Sequence, residues 1–269
     1  TATFPVLDIG TRREIFWDGY VVDAEKTTAR LTMHSPEFAG TVMKHDELWE
    51  GDGTVYFNVM KDGDIFRMYY KASSIPTADD TNRKYKDCGV RVCYAESCDG
   101  ISWVKPKLGL CEFNGSRENN ILMGPECQVF DNFMVFKDDH PECPQNEIYK
   151  AIVGRERLDL GVRMALWCFV SADGIHFTPG WEMIPFEGGA NGLWFDTLNI
   201  VFRDAWTSTY HAYMRGYHEI KKDRFGDLDC RDIRHAVSQD CKTWRPAAFL
   251  EFGEGQEDYP LYTNNVLPY

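Results

Sequence analysis

The sequence predicts an all-β protein of the β-propeller type, and three observations carry that expectation. The first is a strand–turn–strand unit that occurs three times: Thr54 to Met60 with Phe66 to Ala72, Phe130 to Phe136 with Tyr149 to Arg155, and Leu198 to Phe202 with Tyr210 to Met214. The second is a Ser-x-Asp-x-x-x-aromatic turn that closes each unit, at Ser97 to Trp103, Ser171 to Phe177 and Ser238 to Trp244. These turns recur at a period of about 70 residues, which suits a four-stranded propeller blade. The third is composition. Aromatic residues make up 14 % of the chain and favour strands, and no stretch keeps a helical period for long.

Residues 1–48 read as an N-terminal lead-in. Within it, Ile15 to Val22 predicts a short strand pair turning at Asp18-Gly19, and Leu31 to Phe38 carries His34 ahead of Ser35-Pro36. The first blade spans about 49–105. It opens on Trp49-Glu50-Gly51-Asp52-Gly53, turns at Lys61 to Asp64, and after a polar loop from Ser73 to Asp87 adds a strand from Val90 to Ala95. The second, about 126–180, turns at Lys137-Asp138-Asp139. The third, about 193–246, ends its second strand on Arg215-Gly216, and a fourth inner strand begins near Glu257-Asp258. Three blades and one strand do not close a ring, and an open ring leaves unpaired edges. The expectation is therefore a fragment lacking C-terminal blades, or a chain that another chain completes.

The repeated turn has a physical logic. Its serine and aspartate can satisfy backbone N–H groups in a tight hairpin, and its aromatic residue can pack back between sheets. This is hairpin chemistry, remote from any site.

Charge and composition exclude several functions. With a formal net charge of −13 and no basic run longer than Lys221-Lys222, the chain is not suited to a nucleic-acid backbone. No apolar run reaches the roughly 18 residues of a membrane-spanning helix, so no membrane partner is expected. The nine cysteines are Cys88, Cys93, Cys98, Cys111, Cys127, Cys143, Cys168, Cys230 and Cys241. None forms a C-x-x-C, which argues against a zinc ribbon or a thiol-redox motif and favours buried free thiols. No metal or cofactor is expected, apart from an optional structural calcium ion. Thr1 stands where a methionine would start a primary translation product, which fits a removed signal peptide and leans towards a secreted or periplasmic protein.

The candidate chemistry lies in carboxylates. When the units are aligned on Val59, Val135, Val201 and Val266, acids fall just upstream: Glu50 and Asp52, then Glu126 and Asp131, then Asp196, then Glu257 and Asp258. The first strand of each propeller blade lines the central channel, so acids at its start converge on one mouth. Carboxylates sharing a pocket push one another's pKa values apart, leaving one protonated and others ionised. Glycosidic cleavage needs such a pair: an acid for the leaving oxygen, with a base or nucleophile opposite. A strand-starting aspartate can equally satisfy a turn. Asp196 is the leading candidate, with Glu50, Asp52, Asp131 and Asp258 as further catalytic candidates. Arg215, Trp49, Trp194, His34 and Glu126 are candidates for substrate binding: the arginine to orient Asp196 or a sugar hydroxyl, the tryptophans to stack on a sugar ring.

Glu50 to Phe57, followed by Phe66 to Tyr70, resembles the first blade of five-bladed propeller glycoside hydrolases of the invertase-like and arabinanase/xylosidase-like families (families 32 and 43). Asp196 to Gly216, the Ser-x-Asp turns, Leu108 to Ser116 and Leu261 to Asn264 resemble a group of bacterial proteins labelled glycosyl hydrolases. The resemblance runs from about Phe16 to Tyr269. It implies a five-bladed propeller, a carbohydrate substrate, an acid before the first inner strand acting as nucleophile or base, and an aspartate such as Asp196 tuning the acid or stabilising the transition state. Asp52 is followed by glycine where the invertase-like motif has Asn-Asp-Pro. The assignment of acid and nucleophile thus stays open.

Two other readings compete. One is a non-catalytic carbohydrate-binding propeller, in which the same acids hold sugar hydroxyls or calcium. The other is a sialidase-type enzyme. That reading ranks last, because Arg215 is the one well-placed arginine and acidic surroundings would repel an anionic sugar.

Overall fold

The computed structural model describes residues 8–11, 14–16, 19–74, 89–127, 129–157, 162–185, 192–219, 229–250 and 260–268. The chain divides into two units, Thr1–Gly40 and Thr41–Tyr269. In the first unit the described residues form turns and extended segments but no strand. The strand pair expected from Ile15 to Val22 is absent from its described part, and Trp17 and Asp18 lie outside the described residues. Ile15, Phe16 and Tyr20 are exposed there. A lone hairpin with no apolar face to bury is marginal in water.

Among the described residues the second unit forms three four-stranded antiparallel sheets, each in chain order. The first contains β1 (Val55–Asp62), β2 (Ile65–Ala72), β3 (Arg91–Ser97) and β4 (Ile121–Met123). The second contains β5 (Val129–Lys137), β6 (Tyr149–Arg157), β7 (Val162–Ser171) and β8 (Thr178–Ile184). The third contains β9 (Ile200–Asp204), β10 (Thr209–Glu219), β11 (Asp229–Ser238) and β12 (Ala248–Phe249). The leading strand β1 lies beside β5, and β5 beside β9. Up-and-down sheets arrayed around their first strands are propeller blades. The first blade extends past the expected boundary to Met123, because β4 joins its edge only after the long excursion that follows Trp103.

The ladders place the three units in one register. Val59 pairs with Met68, Val135 with Ala151 and Val201 with Ala212. One strand further out, Phe66 pairs with Ser97, Tyr149 with Ser171 and Tyr210 with Ser238. Each closing turn is tied as its composition suggests. The Ser97, Ser171 and Ser238 hydroxyls donate to Asp99, Asp173 and Asp240 at 2.9, 3.0 and 3.0 Å. Each aspartate then accepts backbone N–H groups two and three residues on. Phe177 packs edge-on against Phe133 and Tyr69, between the first and second sheets.

The core lies between the blades. Tyr69, Phe133, Tyr149 and Phe169 fill the first interface, and Ile152, Leu166, Tyr210 and Met214 the second. Each large apolar side chain so buried contributes about 2 kcal/mol or more. Polar keys recur at the same register. Asp62 accepts the Tyr149 hydroxyl of the next blade at 2.6 Å, and Asp138 accepts the Tyr210 hydroxyl of the blade after at 2.9 Å. Cations complete both: Lys137 and Arg67 on Asp62, and the buried Lys150 on Asp138.

Candidate functional site

The inner strands become irregular at one end. The β1–β2 ladder shifts register between Val55 and Asn58, and the β5–β6 ladder between Val129 and Phe133. Bulges of this kind re-aim side chains. Asp131 falls inside the second, although its side chain lies outside the described residues.

The third blade carries the most constrained backbone. Phe195 and Thr197 have φ of 48° and 79°, so both neighbours of Asp196 are left-handed. For a β-branched residue this is an outlier that the surroundings must enforce. Three contacts do so. The Asp196 N–H donates to the Trp194 carbonyl at 2.7 Å. The buried Asn199 amide donates to the Phe195 carbonyl at 2.8 Å and the Thr197 carbonyl at 3.2 Å. The Trp194 N–H donates to the Arg215 carbonyl at 3.2 Å, where β10 runs past the end of β9.

This loop presents the Asp196 carboxylate with 38 % of its side chain exposed, 3.5 Å from the guanidinium of the wholly buried Arg215. Arg215 also donates to the Tyr262 carbonyl at 2.8 Å and the Tyr217 hydroxyl at 3.2 Å. Its guanidinium stacks 4.7 Å from the Tyr262 ring and 5.3 Å from that of Tyr217. Trp194 meets Tyr217 edge-on at 5.6 Å. The structure thus brings together Asp196, Arg215 and Trp194, with Tyr217 and Tyr262 beside them.

An asparagine belt lies beneath. Asn58 on β1 accepts the Val135 N–H of β5 at 2.8 Å. Asn132 on β5 accepts from the Asn199 amide at 3.2 Å, and Asn199 in turn accepts the Arg215 N–H at 3.1 Å. Sequence reasoning passed over this belt. Its signal was an asparagine inside β1, another inside β5 and a third just ahead of β9, a residue type otherwise depleted in strands.

Glu50 is fully buried. Its carboxylate accepts from Tyr70 at 2.6 Å, Lys105 at 2.8 Å and the Glu47 N–H at 3.0 Å, with His45 at 3.4 Å. Burial pushes its pKa up, but the hydrogen bonds from His45, Lys105 and Tyr70 outweigh that and hold it at about 2. Its neighbour Gly51 has φ of 70° and runs so close to Ser73 that a Cβ would collide with that residue's carbonyl. Asp52, between Gly51 and Gly53, is exposed. Trp49 donates to Asn120 at 2.7 Å and packs on Phe113, within the first blade and away from the Asp196 loop. Glu126 is exposed in a short 3-10 turn after β4. His34 is exposed in the N-terminal unit. Asp258 lies outside the described residues. Among the described residues no group of three or more His, Cys, Asp or Glu side chains could hold a metal ion, and no helix is long and apolar enough to cross a membrane.

No family model matches the chain, and no curated protein sequence does. Solved structures with a similar arrangement include an N-acetylgalactosamine deacetylase from F. plautii in complex with blood group B trisaccharide. It is 13 % identical with a TM-score of 0.48, over 71 % of this chain and 51 % of that one. A sucrose-6-phosphate hydrolase from Lactobacillus gasseri is 10 % identical with a TM-score of 0.44, over 71 % and 33 %. An alpha-L-arabinanase from Penicillium chrysogenum complexed with arabinobiose is 12 % identical with a TM-score of 0.42, over 78 % and 51 %. The chain matches about half or less of the length of these structures.

Proposed function

We propose that the chain supplies blades of a five-bladed propeller glycoside hydrolase, with Asp196 among its catalytic carboxylates. What supports this reading is the Asp196 loop. A half-exposed carboxylate sits between two left-handed residues, locked by a buried asparagine and oriented by a buried arginine. Backbone strain of about 1–3 kcal/mol per residue persists where function requires a side chain in one place.

Asp131, at the bulge of the neighbouring inner strand, is the partner carboxylate in this reading. One of the two protonates the leaving glycosidic oxygen; the other supports the developing positive charge at the anomeric carbon or attacks it. Arg215 is a positioning residue that keeps Asp196 aimed. Trp194, Tyr217 and Tyr262 form an aromatic rim against which a sugar ring can stack. Glu50 has both oxygens engaged within the fold and is left out of the reacting set.

The test is hydrolysis of a panel of aryl glycosides and oligosaccharides by the parent protein and by Asp196→Asn. Release of sugar by the parent, reduced about 100-fold or more in the variant, is the expected result. If a glycan is bound but never cleaved, and equally well by both proteins, the reading fails in favour of a carbohydrate-binding propeller.

A further inference from the structure

The three closing turns share one backbone shape but not one sequence. Their fourth residues are Gly100, Gly174 and Cys241, with φ of 74°, 77° and 60°. Glycine adopts that conformation freely; a residue with a Cβ is strained there. Cys241 is nevertheless wholly buried, so the third turn accepts strain in order to place a thiol inside the fold.

Opposite it on the second blade is another wholly buried cysteine, Cys168 on β7. Cys168 pairs across the ladder with Trp181, whose indole N–H donates to the Cys241 carbonyl at 3.0 Å. Both cysteines belong to the same apolar cluster, and the neighbouring Cys168 thiol together with burial pushes the Cys241 thiol pKa well up. At the first interface the matching positions are Tyr94 and Gly174. Two thiols thus replace a tyrosine and a glycine together. Cys168 and Cys241 are both free thiols.

We propose that Cys168 and Cys241 form a redox-active dithiol that a low-molecular-weight disulfide converts into a covalent bridge between the second and third blades. One cysteine thiolate attacks a sulfur of the reagent disulfide and releases one reagent thiol. The second cysteine thiolate then displaces the other reagent thiol from the mixed disulfide. The protein loses two S–H protons and two electrons; the reagent disulfide gains both and leaves as two thiols. Access comes through the turn itself, whose Gln239, Asp240, Lys242 and Thr243 are exposed, so a local opening uncovers Cys241 without unfolding a sheet. The bridge would close the end of the blades opposite the Asp196 loop, and it does not depend on the glycosidase reading.

The test is incubation of the folded protein with oxidised glutathione, followed by peptide mapping without reduction and thermal melting. The expected result is a Cys168–Cys241 cross-linked peptide and a melting temperature raised by roughly 5 °C, reversed by dithiothreitol. Cys241→Gly restores the residue that the turn prefers, so it should fold, give no such peptide and melt at one temperature in both redox states. Absence of the cross-link in the parent overturns the proposal. So does a melting shift of the same size in Cys241→Gly, or a bridge formed only from denatured protein.

Discussion

The Tyr210 hydroxyl of the third blade sits 2.9 and 3.0 Å from the two carboxylate oxygens of Asp138 in the second, in a setting closed to water. Burial and the adjacent carboxylate push the tyrosine pKa up, so the hydroxyl stays a donor at any ordinary pH. Burial also pushes the Asp138 carboxyl up, but the Lys150 ammonium at 2.7 Å more than compensates and keeps it ionised. Tyr210→Phe removes one hydrogen bond to a charged group and leaves the ring in place. It should cost about 2 kcal/mol, read as a melting temperature lower by roughly 4–8 °C. Tyr149→Phe, which empties the same position on Asp62, should behave alike.

Glu50→Gln should be among the more damaging surface-remote substitutions in the first blade. The change strands Lys105 without its carboxylate, at a cost of about 3 kcal/mol. The same group gives the parent an acid-sensitive component. Its folded value of about 2 lies below the ordinary 4.5, so its stabilisation is complete above about pH 4.5 and drains away as the pH falls towards 2. Urea midpoints between pH 5 and pH 2.5 should fall more steeply for the parent than for Glu50→Gln. Parallel slopes would remove Glu50 from the account of acid sensitivity.

Asn199→Ala leaves the Phe195 and Thr197 carbonyls and the Arg215 N–H without their partner inside the fold. A loss of about 3 kcal/mol is expected in denaturant unfolding. The strained Asp196 loop should relax as well, so hydrolysis should fall further than Asp52→Asn makes it fall. Equal activity in the two variants would mean that the loop does not position the chemistry.

Arg215→Lys keeps the charge but not the planar fork that reaches the Tyr262 carbonyl, the Tyr217 hydroxyl and Asp196 together. The expected signature is kcat reduced by about 10–100-fold with KM nearly unchanged, because a misaimed carboxylate loses transition-state support rather than ground-state binding. A raised KM with kcat intact would instead make Arg215 a contact for the substrate.

The blade architecture was legible because two repeats coincide in this chain: the strand–turn–strand unit and the spacing of the Ser-x-Asp turns. Val59, Val135 and Val201 occupy equivalent ladder positions for that reason. The strand β4 was not legible. Its three residues carry no alternation, and they reach the sheet only through the fold of the preceding loop. The site was legible in part. Glu50 and Asp196 look alike in sequence, each an acid ahead of an inner strand. What separates them is burial: Tyr70 and Lys105, distant in sequence, enclose Glu50 completely, whereas the Asp196 side chain beside Arg215 stays 38 % exposed. Asn199 was missed because asparagine before a strand ordinarily reads as turn chemistry, while here its amide braces the strained backbone from below.

The Asp–Tyr key between successive blades makes the coupling strictly local. Among the described residues the key ties each sheet to the one before it, through Tyr149 to Asp62 and Tyr210 to Asp138. Stability in such a stack approximates a sum of sheet terms and interface terms, as in a one-dimensional chain of links. A lesion at Asp138 should therefore loosen the third sheet while the first keeps its amide protons protected from exchange with solvent. The protein would then lose structure in stages that follow its own sequence order.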